Sequence, residues 1–235
     1  MFVERSFCLE MANFNVHIGV ATSCTTVVAT LGVSFHFIDL QHMPWLIFLG
    51  IVGGMLPDID AVNSRPVRLL FTILSLLSAT AVLSAAKQYY GQSPQLLLLG
   101  GGVYWFTRYL VLASIKRLTV HRGIFHSILA LCFFSFAMTC ISFYSLKQNT
   151  IYAWLNGFFI GFGFFVHLVL DEMYSVDLAN RRIKKSFGTA LKLFNYKNVH
   201  SSVLMAIFTG LLYWFSPPAL PLFALSERIF SALIF

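Results

Sequence analysis

Three short polar motifs stand out in a chain that is otherwise almost wholly apolar. Residues 121–127 read HRGIFHS, with two imidazoles, one guanidinium and one hydroxyl. Residues 56–60 read LPDID, and residues 167–172 read HLVLDE. Ionisable groups are costly to bury in a hydrophobic protein, so such motifs indicate a functional site. Imidazole and carboxylate ligands together suit zinc, manganese or iron.

The HLVLDE motif has the spacing of a pair of metal ligands. His167 and Asp171 are four residues apart, so on a helix their side chains lie on one face. An imidazole and a carboxylate in that arrangement can bind one ion together. A hydrogen-bonded His–Asp pair without metal gives the same pattern, and for this motif alone it is the simpler interpretation. The next residue, Glu172, is a candidate base.

The HRGIFHS motif predicts a loop followed by the start of a helix. Gly123 permits a tight turn, which would place His126 and Ser127 in the first helical turn. The unsatisfied amides of that turn would attract anions, and the planar guanidinium of Arg122 suits phosphate. Alternatively, Ser127 is only a helix cap and Arg122 only a charge that sets membrane topology.

The LPDID motif contains two carboxylates two residues apart. In an extended segment Asp58 and Asp60 face the same way, and adjacent carboxylates repel each other unless a cation lies between them. A turn residue beside a solvated carboxylate is the alternative. His17, near the N-terminus, is a further candidate ligand, although a histidine that merely lies at the membrane interface is the simpler interpretation. The combined set of predicted ligands is His17, Asp58, Asp60, His121, His126, His167 and Asp171.

These predicted ligands outnumber the three protein ligands that a catalytic zinc ion usually takes. The set therefore predicts one or two divalent ions, with zinc as the leading candidate and manganese or iron as alternatives. A two-metal site can stabilise both the attacking and the leaving oxygen of a phosphoryl displacement. The four cysteines form no CxxC pair, so neither a disulfide framework nor a thiolate metal site is predicted.

Composition indicates an integral membrane protein. Of the 235 residues, 58% are hydrophobic and 11% are charged, whereas soluble domains contain about a quarter charged residues. The net charge of +7 is explained by the positive-inside rule and by anionic lipid headgroups, so no nucleic-acid partner is predicted. The expected fold is an all-α, polytopic helix bundle in a single domain, residues 1–235. Its seven or so hydrophobic segments are residues 16–35, 44–56, 67–86, 95–115, 124–146, 151–174 and 199–215.

The distribution of Lys and Arg predicts how these segments cross the membrane. With seven crossings, the basic connections all fall on one side, which should be the cytoplasmic side together with the N-terminus. This topology was assigned without the motifs, yet it brings all three motifs and His17 to the same face. A hydrolase-like core would span residues 16–177, followed by a basic cytoplasmic loop, 175–198, and a last helix with its tail, 199–235. Arg108, inside the fourth segment, could pair with a site carboxylate or bind a substrate phosphate.

The motifs in this order resemble those of the membrane-bound metal-dependent hydrolase family to which the inner-membrane protein YdjM belongs. That multi-helical family has an N-terminal His, then P-D-x-D, H-R-x-x-x-H-S and H-x-x-x-D. The resemblance covers residues 16–177, and Phe125 stands where family members often have Thr, so a hydroxyl role at that position is absent. In this chain the pattern falls on His17; on Pro57, Asp58 and Asp60; on His121, Arg122, His126 and Ser127; and on His167 and Asp171.

The order of His and Asp ligands is more distantly similar to that in zinc-dependent phospholipase C and related helical nucleases. This similarity implies phosphoester hydrolysis without identifying the substrate. The expected protein is a metal-dependent hydrolase of the bacterial inner membrane that cleaves a lipid or lipid-linked phosphoester at the cytoplasmic face. Metal would activate water, Arg122 would stabilise the developing charge, and Asp60 or Glu172 would act as base.

Three other functions are compatible with the same residues. A non-catalytic metal-binding membrane protein would use the site for stability alone. A metal transporter would need ligands near the middle of the bilayer, whereas the predicted ligands gather at one face. A membrane metalloprotease is disfavoured because the chain has no HExxH motif.

Overall fold

A computed structural model describes residues 14–60, 65–90, 94–113, 125–177, 182–183, 191–193 and 199–219. These residues are almost entirely helical, which confirms the predicted all-α class for the described part of the chain. Two short strands, β1 Val176–Asp177 and β2 Arg182–Ile183, form one antiparallel pair, with Val176 opposite Ile183. The helices are α1 Phe14–Ser34, α2 Met43–Met55, α3 Arg65–Tyr90, α4 Gln95–Trp105, α5 Ile128–Cys140, α6 Thr150–Ser175 and α7 Val199–Phe215.

Each predicted hydrophobic segment overlaps one of these helices. Two of them continue into π-helical turns, Phe106–Val111 after α4 and Ile141–Ser145 after α5. Seven crossings stay a prediction, since the apolar helices Leu40–Met55 and Val199–Phe215 are shorter than a typical span. The cytoplasmic location of the N-terminus also stays a prediction. Among the described residues, four helical segments are long and apolar enough to cross a membrane: Asn15–Ser34, Val67–Ser84, Ile128–Ser145 and Thr150–Tyr174.

Helix α6 is the central helix of the bundle. Of its span, 67% is buried inside the protein, whereas the other three long spans are 17–24% buried and expose apolar side chains. It packs against α1, α2 and α5, while α7 packs on α5 and α3 pairs mainly with α4. Its buried side includes Phe159, Phe164 and Leu168, none of which is exposed. Residues that α6 carries at one end are therefore held in a rigid setting.

Glycines allow α2 and α6 to approach each other closely. A Cβ atom at Gly53 would overlap the carbonyl oxygen of Ile160, and one at Gly163 would overlap the carbonyl oxygen of Gly50. Small residues of this kind let helix backbones touch in membrane proteins. The close approach brings the last turn of α2 beside the half of α6 that carries the HLVLDE motif.

A separate polar cluster lies at the other end of α6. The hydroxyl of Tyr152 donates to the carboxylate of Asp39 at 2.5 Å, and the ring of His42 stacks on that of Tyr152 with centroids 4.0 Å apart. These contacts connect the loop between α1 and α2 to the start of α6. Tyr152 and Asp171 are separated by about 28 Å, at about 1.5 Å per residue of helix, so His42 and Asp39 lie at the opposite end of α6 from the HLVLDE motif.

Candidate metal centre

Five of the predicted ligand side chains meet at one end of α6, and we call them the His–Asp cluster. The three imidazoles are buried, with exposures of 1–8%, whereas the two carboxylates are 27% and 30% exposed. One side of the cluster is therefore accessible to a substrate and the other is enclosed by packed helices. The cluster consists of His17 from α1, Asp58 from the turn after α2, His126 from the residues before α5, and His167 and Asp171 from α6.

Two imidazole nitrogens of the cluster each lie near an oxygen of both carboxylates. His126 Nε2 and His167 Nε2 lie 3.4 and 3.5 Å from Asp171 Oδ2. The same two nitrogens lie 4.0 and 3.7 Å from Asp58 Oδ1. All four separations exceed the roughly 2.7–3.2 Å of an N–H···O hydrogen bond. The four groups thus face one another at separations longer than those of typical hydrogen bonds.

The same separations suit ligands of a tetrahedral ion. Four atoms about 2.0–2.1 Å from a zinc ion at tetrahedral positions lie about 3.3–3.4 Å from one another. The pairs with Asp171 match this spacing, and those with Asp58 require a contraction of a few tenths of an ångström. The residues present therefore fit a divalent metal, and the cluster could bind one.

The orientation of the His167 ring strengthens this interpretation. Its Nδ1 lies 2.7 Å from the carbonyl oxygen of Gly54, and since a carbonyl only accepts, Nδ1 must carry the proton and donate. In the neutral ring, Nε2 then presents a lone pair to the two carboxylates, which is repulsive unless a cation lies between them. A backbone carbonyl that orients a metal-binding histidine in this way is a common feature of metal sites.

His17 contacts the other oxygen of Asp171. Its Nε2 lies 3.3 Å from Oδ1, and its ring stacks on that of His167 with centroids 4.0 Å apart and an interplanar angle of 18°. The buried Nδ1 of His17 has no hydrogen-bond partner among the described residues. Asp171 thus presents one oxygen to His17 and the other to His126 and His167, as a carboxylate bridging two groups of ligands would.

Asp58 lies in a 3₁₀ turn, Pro57–Asp60, that follows α2 directly. The prediction of an extended segment in which the carboxylates of Asp58 and Asp60 face the same way is therefore wrong. Alternate residues of a 3₁₀ helix, with three residues per turn, do not share a face. Pro57 fits the first position of the turn, because an amide hydrogen at that position would have no acceptor within the turn. The side chain of Asp60 lies outside the described residues.

His126 precedes α5 rather than lying within its first turn. Ser127 is the N-cap, with an extended backbone, and its Oγ accepts a hydrogen bond from the Ala130 amide at 3.2 Å. The amides of the next two residues, Ile128 and Leu129, donate to the carbonyls of Lys192 and Leu193 at 3.0 and 3.1 Å. The prediction that these amides attract an anion is wrong for this structure, because the chain itself uses them.

Replacing Ser127 by Ala is expected to destabilise the protein by about 1 kcal/mol, because the buried Ala130 amide loses its acceptor. The adjacent His126 should then be held less firmly, so metal affinity should fall as well. Thermal unfolding in detergent and metal titration measure the two effects. Ser23→Ala is the matched control, since its exposed hydroxyl only bonds to the Gly19 carbonyl of its own helix. Equal behaviour of the two variants would contradict the capping role.

The remaining predicted site residues are not all placed by the structure. His121 and Arg122 lie outside the described residues, as does the Asp60 side chain. Glu172 is half-buried and follows Asp171 on α6, and adjacent helical residues do not face the same way. His200, at the start of α7, is exposed and is not part of the His–Asp cluster.

The sequence model of the YdjM inner membrane protein family matches residues 11–179, well over half of the chain. The chain belongs to the YdjM inner membrane protein family. No curated protein and no solved structure matches the chain significantly. The YdjM match includes all five residues of the His–Asp cluster and ends just after β1. Membership agrees with the four helices that could cross a membrane.

Two contacts at this YdjM-family site were not anticipated from the sequence. The Gly54 carbonyl that orients His167 is a backbone group, so no residue type predicts this contact. The carbonyls of Lys192 and Leu193 come from the basic loop and are also backbone groups. Contacts made by the main chain across long sequence separations leave no pattern of side chains to read.

Proposed function

We propose that this protein is a membrane-embedded, metal-dependent hydrolase that cleaves a phosphoester of a lipid or lipid-linked substrate. The observation that carries the proposal is the spacing of the four ligand atoms of Asp58, His126, His167 and Asp171. Those separations are longer than those of typical hydrogen bonds and suit the ligands of one ion. Zinc is the leading candidate, with manganese or iron as alternatives.

The described residues offer a full set of ligands for one ion. Asp58, His126, His167 and Oδ2 of Asp171 would hold it, and His17 with Oδ1 of Asp171 would supply two ligands for a second. Further ligands for that second ion would come from Asp60 and His121, as the sequence predicts. A measured stoichiometry of one or two ions distinguishes these arrangements.

Asp58, His126, His167 and Asp171 would hold the metal, which would supply polarisation of a phosphoryl oxygen and activation of water near neutral pH. The protein contributes rigid positioning, because α6 is the most buried of the four long spans and Gly54 fixes the His167 ring. The half-exposed carboxylates leave the cluster open on one side. Arg122 would bind the phosphate, and Asp60 would take the proton from water, since Glu172 does not face the same way as Asp171.

The location of the cluster favours a reaction at one membrane face over transport across the membrane. The cluster lies at one end of α6, about 28 Å from the Tyr152 end by helical rise. Between the two ends, α6 is sealed against α2 by the glycine contacts and by buried Phe159 and Phe164. A cytoplasmic location of the site follows from the Lys and Arg distribution and belongs to this proposal.

The experiment that tests the proposal combines metal analysis with turnover. Elemental mass spectrometry should find one or two equivalents of a transition metal in the detergent-purified full chain, and His126→Ala should lower this content. The wild type should release phosphate or headgroup from a panel of phospholipids and lipid pyrophosphates, and a chelator should abolish the release. Metal without turnover of any lipid phosphoester would favour a non-catalytic metal-binding protein, and absence of metal after supplementation would refute the proposal.

A further inference from the structure

One guanidinium lies inside a hydrophobic helix that contributes no residue to the His–Asp cluster. Arg108 is half-buried in the π-helical turn that continues α4. Its neighbours in the chain, Trp105, Phe106, Tyr109 and Leu110, are 44–56% exposed. These exposed rings and aliphatic groups form an apolar surface of the kind that faces lipid. A charged group in such surroundings is costly unless a partner of opposite charge stabilises it.

The described residues do not supply that partner. The contact of the Arg108 guanidinium is with the ring of Tyr109, whose centroid lies 5.6 Å from Cζ. Every ion pair between described side chains involves a histidine, and none involves Arg108. A cation–π contact at a partly exposed position contributes little compared with a paired anion. The guanidinium therefore has most of its donors available for an external ligand.

Arg108 lies near the end of the bundle that carries the metal centre. Helix α3 starts shortly after the turn that bears Asp58, and α4 returns beside it, as the close approach of Gly100 to Leu83 shows. Leu112, four residues after Arg108 and so on a similar side of the helix, is buried in the core cluster that also contains Leu168, the neighbour of His167.

The local backbone is unusual at this position. Residues Phe106–Val111 form a π-helical turn. This geometry is rare, and where it occurs it is frequently found at functional sites. The extra residue per turn changes the direction of the side chains that follow it. The ring of Tyr109, which the guanidinium contacts, lies beside the ring of Trp105 with centroids 6.1 Å apart. Aromatic residues of this kind are typical of the headgroup level of a membrane.

We propose that Arg108 binds the phosphate group of a membrane lipid and holds that lipid toward the metal centre as its substrate. The planar guanidinium can donate two parallel hydrogen bonds to phosphate oxygens, and the exposed apolar surface around it suits acyl chains. This inference rests on the proposed function for its link to the metal, whereas binding of phosphate by Arg108 can be measured without catalysis.

Native mass spectrometry of the detergent-purified full chain tests the proposal, with dioleoyl phosphatidic acid as the probe. Arg108→Gln should bind the probe about tenfold more weakly than the wild type, as expected for losing charge-assisted hydrogen bonds. Arg108→Lys should retain part of the affinity because it keeps the charge. The matched control is Arg68→Gln, which removes an exposed guanidinium from the same pair of helices and should leave affinity within about twofold.

Two further measurements separate the possible failures. Asp171→Asn should also weaken binding of phosphatidic acid, because the bound phosphate would face the metal centre, while Arg108→Gln should keep wild-type metal content. Unchanged affinity of Arg108→Gln for phosphatidic acid would overturn the proposal. Weakened binding in Arg108→Gln together with full affinity in Asp171→Asn would also overturn it, because the bound lipid would then be unrelated to the metal. If Arg108→Gln does not fold, Arg108→Lys decides in its place. Absence of metal from the wild type would refute the proposed function and with it the link of the lipid to the metal, whereas the affinity of Arg108→Gln would still decide whether Arg108 binds phosphate.

Discussion

Asp171→Asn is expected to abolish metal binding at the proposed site. Asp171 presents Oδ2 to His126 and His167 and Oδ1 to His17, so it is the residue that joins the three imidazoles. Asn keeps the size of the side chain but replaces one oxygen by an amide nitrogen and removes the negative charge. Loss of groups that merely support a ligand lowers metal affinity about 10–100-fold, so loss of this ligand should lower it by more than about 100-fold.

Metal content by elemental mass spectrometry, together with metal titration, measures this effect. The matched control is Asp39→Asn, which makes the same chemical change at the opposite end of α6, where Asp39 accepts from Tyr152. That variant should keep wild-type metal content even if its stability falls slightly. Metal retained in Asp171→Asn at wild-type affinity would mean that the metal binds elsewhere and that the cluster is a set of ion pairs without metal.

Gly163→Ala is expected to destabilise the bundle strongly and to lower metal content as a consequence. The added methyl group would overlap the backbone carbonyl of Gly50, and backbone cannot move aside as a flexible side chain can. Overpacking of this kind costs about 1–3 kcal/mol. The helices α2 and α6 would have to separate, and the hydrogen bond from His167 to the Gly54 carbonyl would lengthen or break.

The chain offers two matched controls for this substitution. Gly101 in α4 and Gly210 in α7 are also helical glycines, and a Cβ at either would meet no heavy atom within 4 Å. Gly101→Ala and Gly210→Ala should leave the melting temperature in detergent equal or higher, since Ala favours helix over Gly by about 1 kcal/mol. A melting temperature of Gly163→Ala equal to that of the controls would show that the α2–α6 contact is not tight.

The helical elements followed directly from the sequence because they depend on local properties. Runs of apolar residues predicted all seven helices, and the predicted boundaries of α2 and α7 lie within one residue of those observed. The π-helical turns at Phe106–Val111 and Ile141–Ser145 were not predicted. A π turn arises from the packing of one helix against its neighbours, and the apolar residues inside it look like those of any hydrophobic helix.

The site was predictable in its residue types but only partly in its geometry. The four-residue spacing of His167 and Asp171 correctly places both on one side of α6, 3.5 Å apart. The spacing of Asp58 and Asp60 led to an extended segment, whereas Pro57–Asp60 is a 3₁₀ turn. A Pro-Asp sequence is compatible with both conformations, and the choice depends on how α2 ends and α3 begins.

The sequence by itself determined that this protein is helical and rich in membrane-compatible segments, and that its few imidazoles and carboxylates form a candidate metal site. Those conclusions depend on composition and short spacings, which act within one helix. Only the tertiary structure decided which atoms meet: Oδ1 of Asp171 with His17, Oδ2 with His126 and His167, and the Gly54 carbonyl with the His167 ring. These contacts join helices far apart in the chain, and they depend on the close glycine packing of α2 against α6.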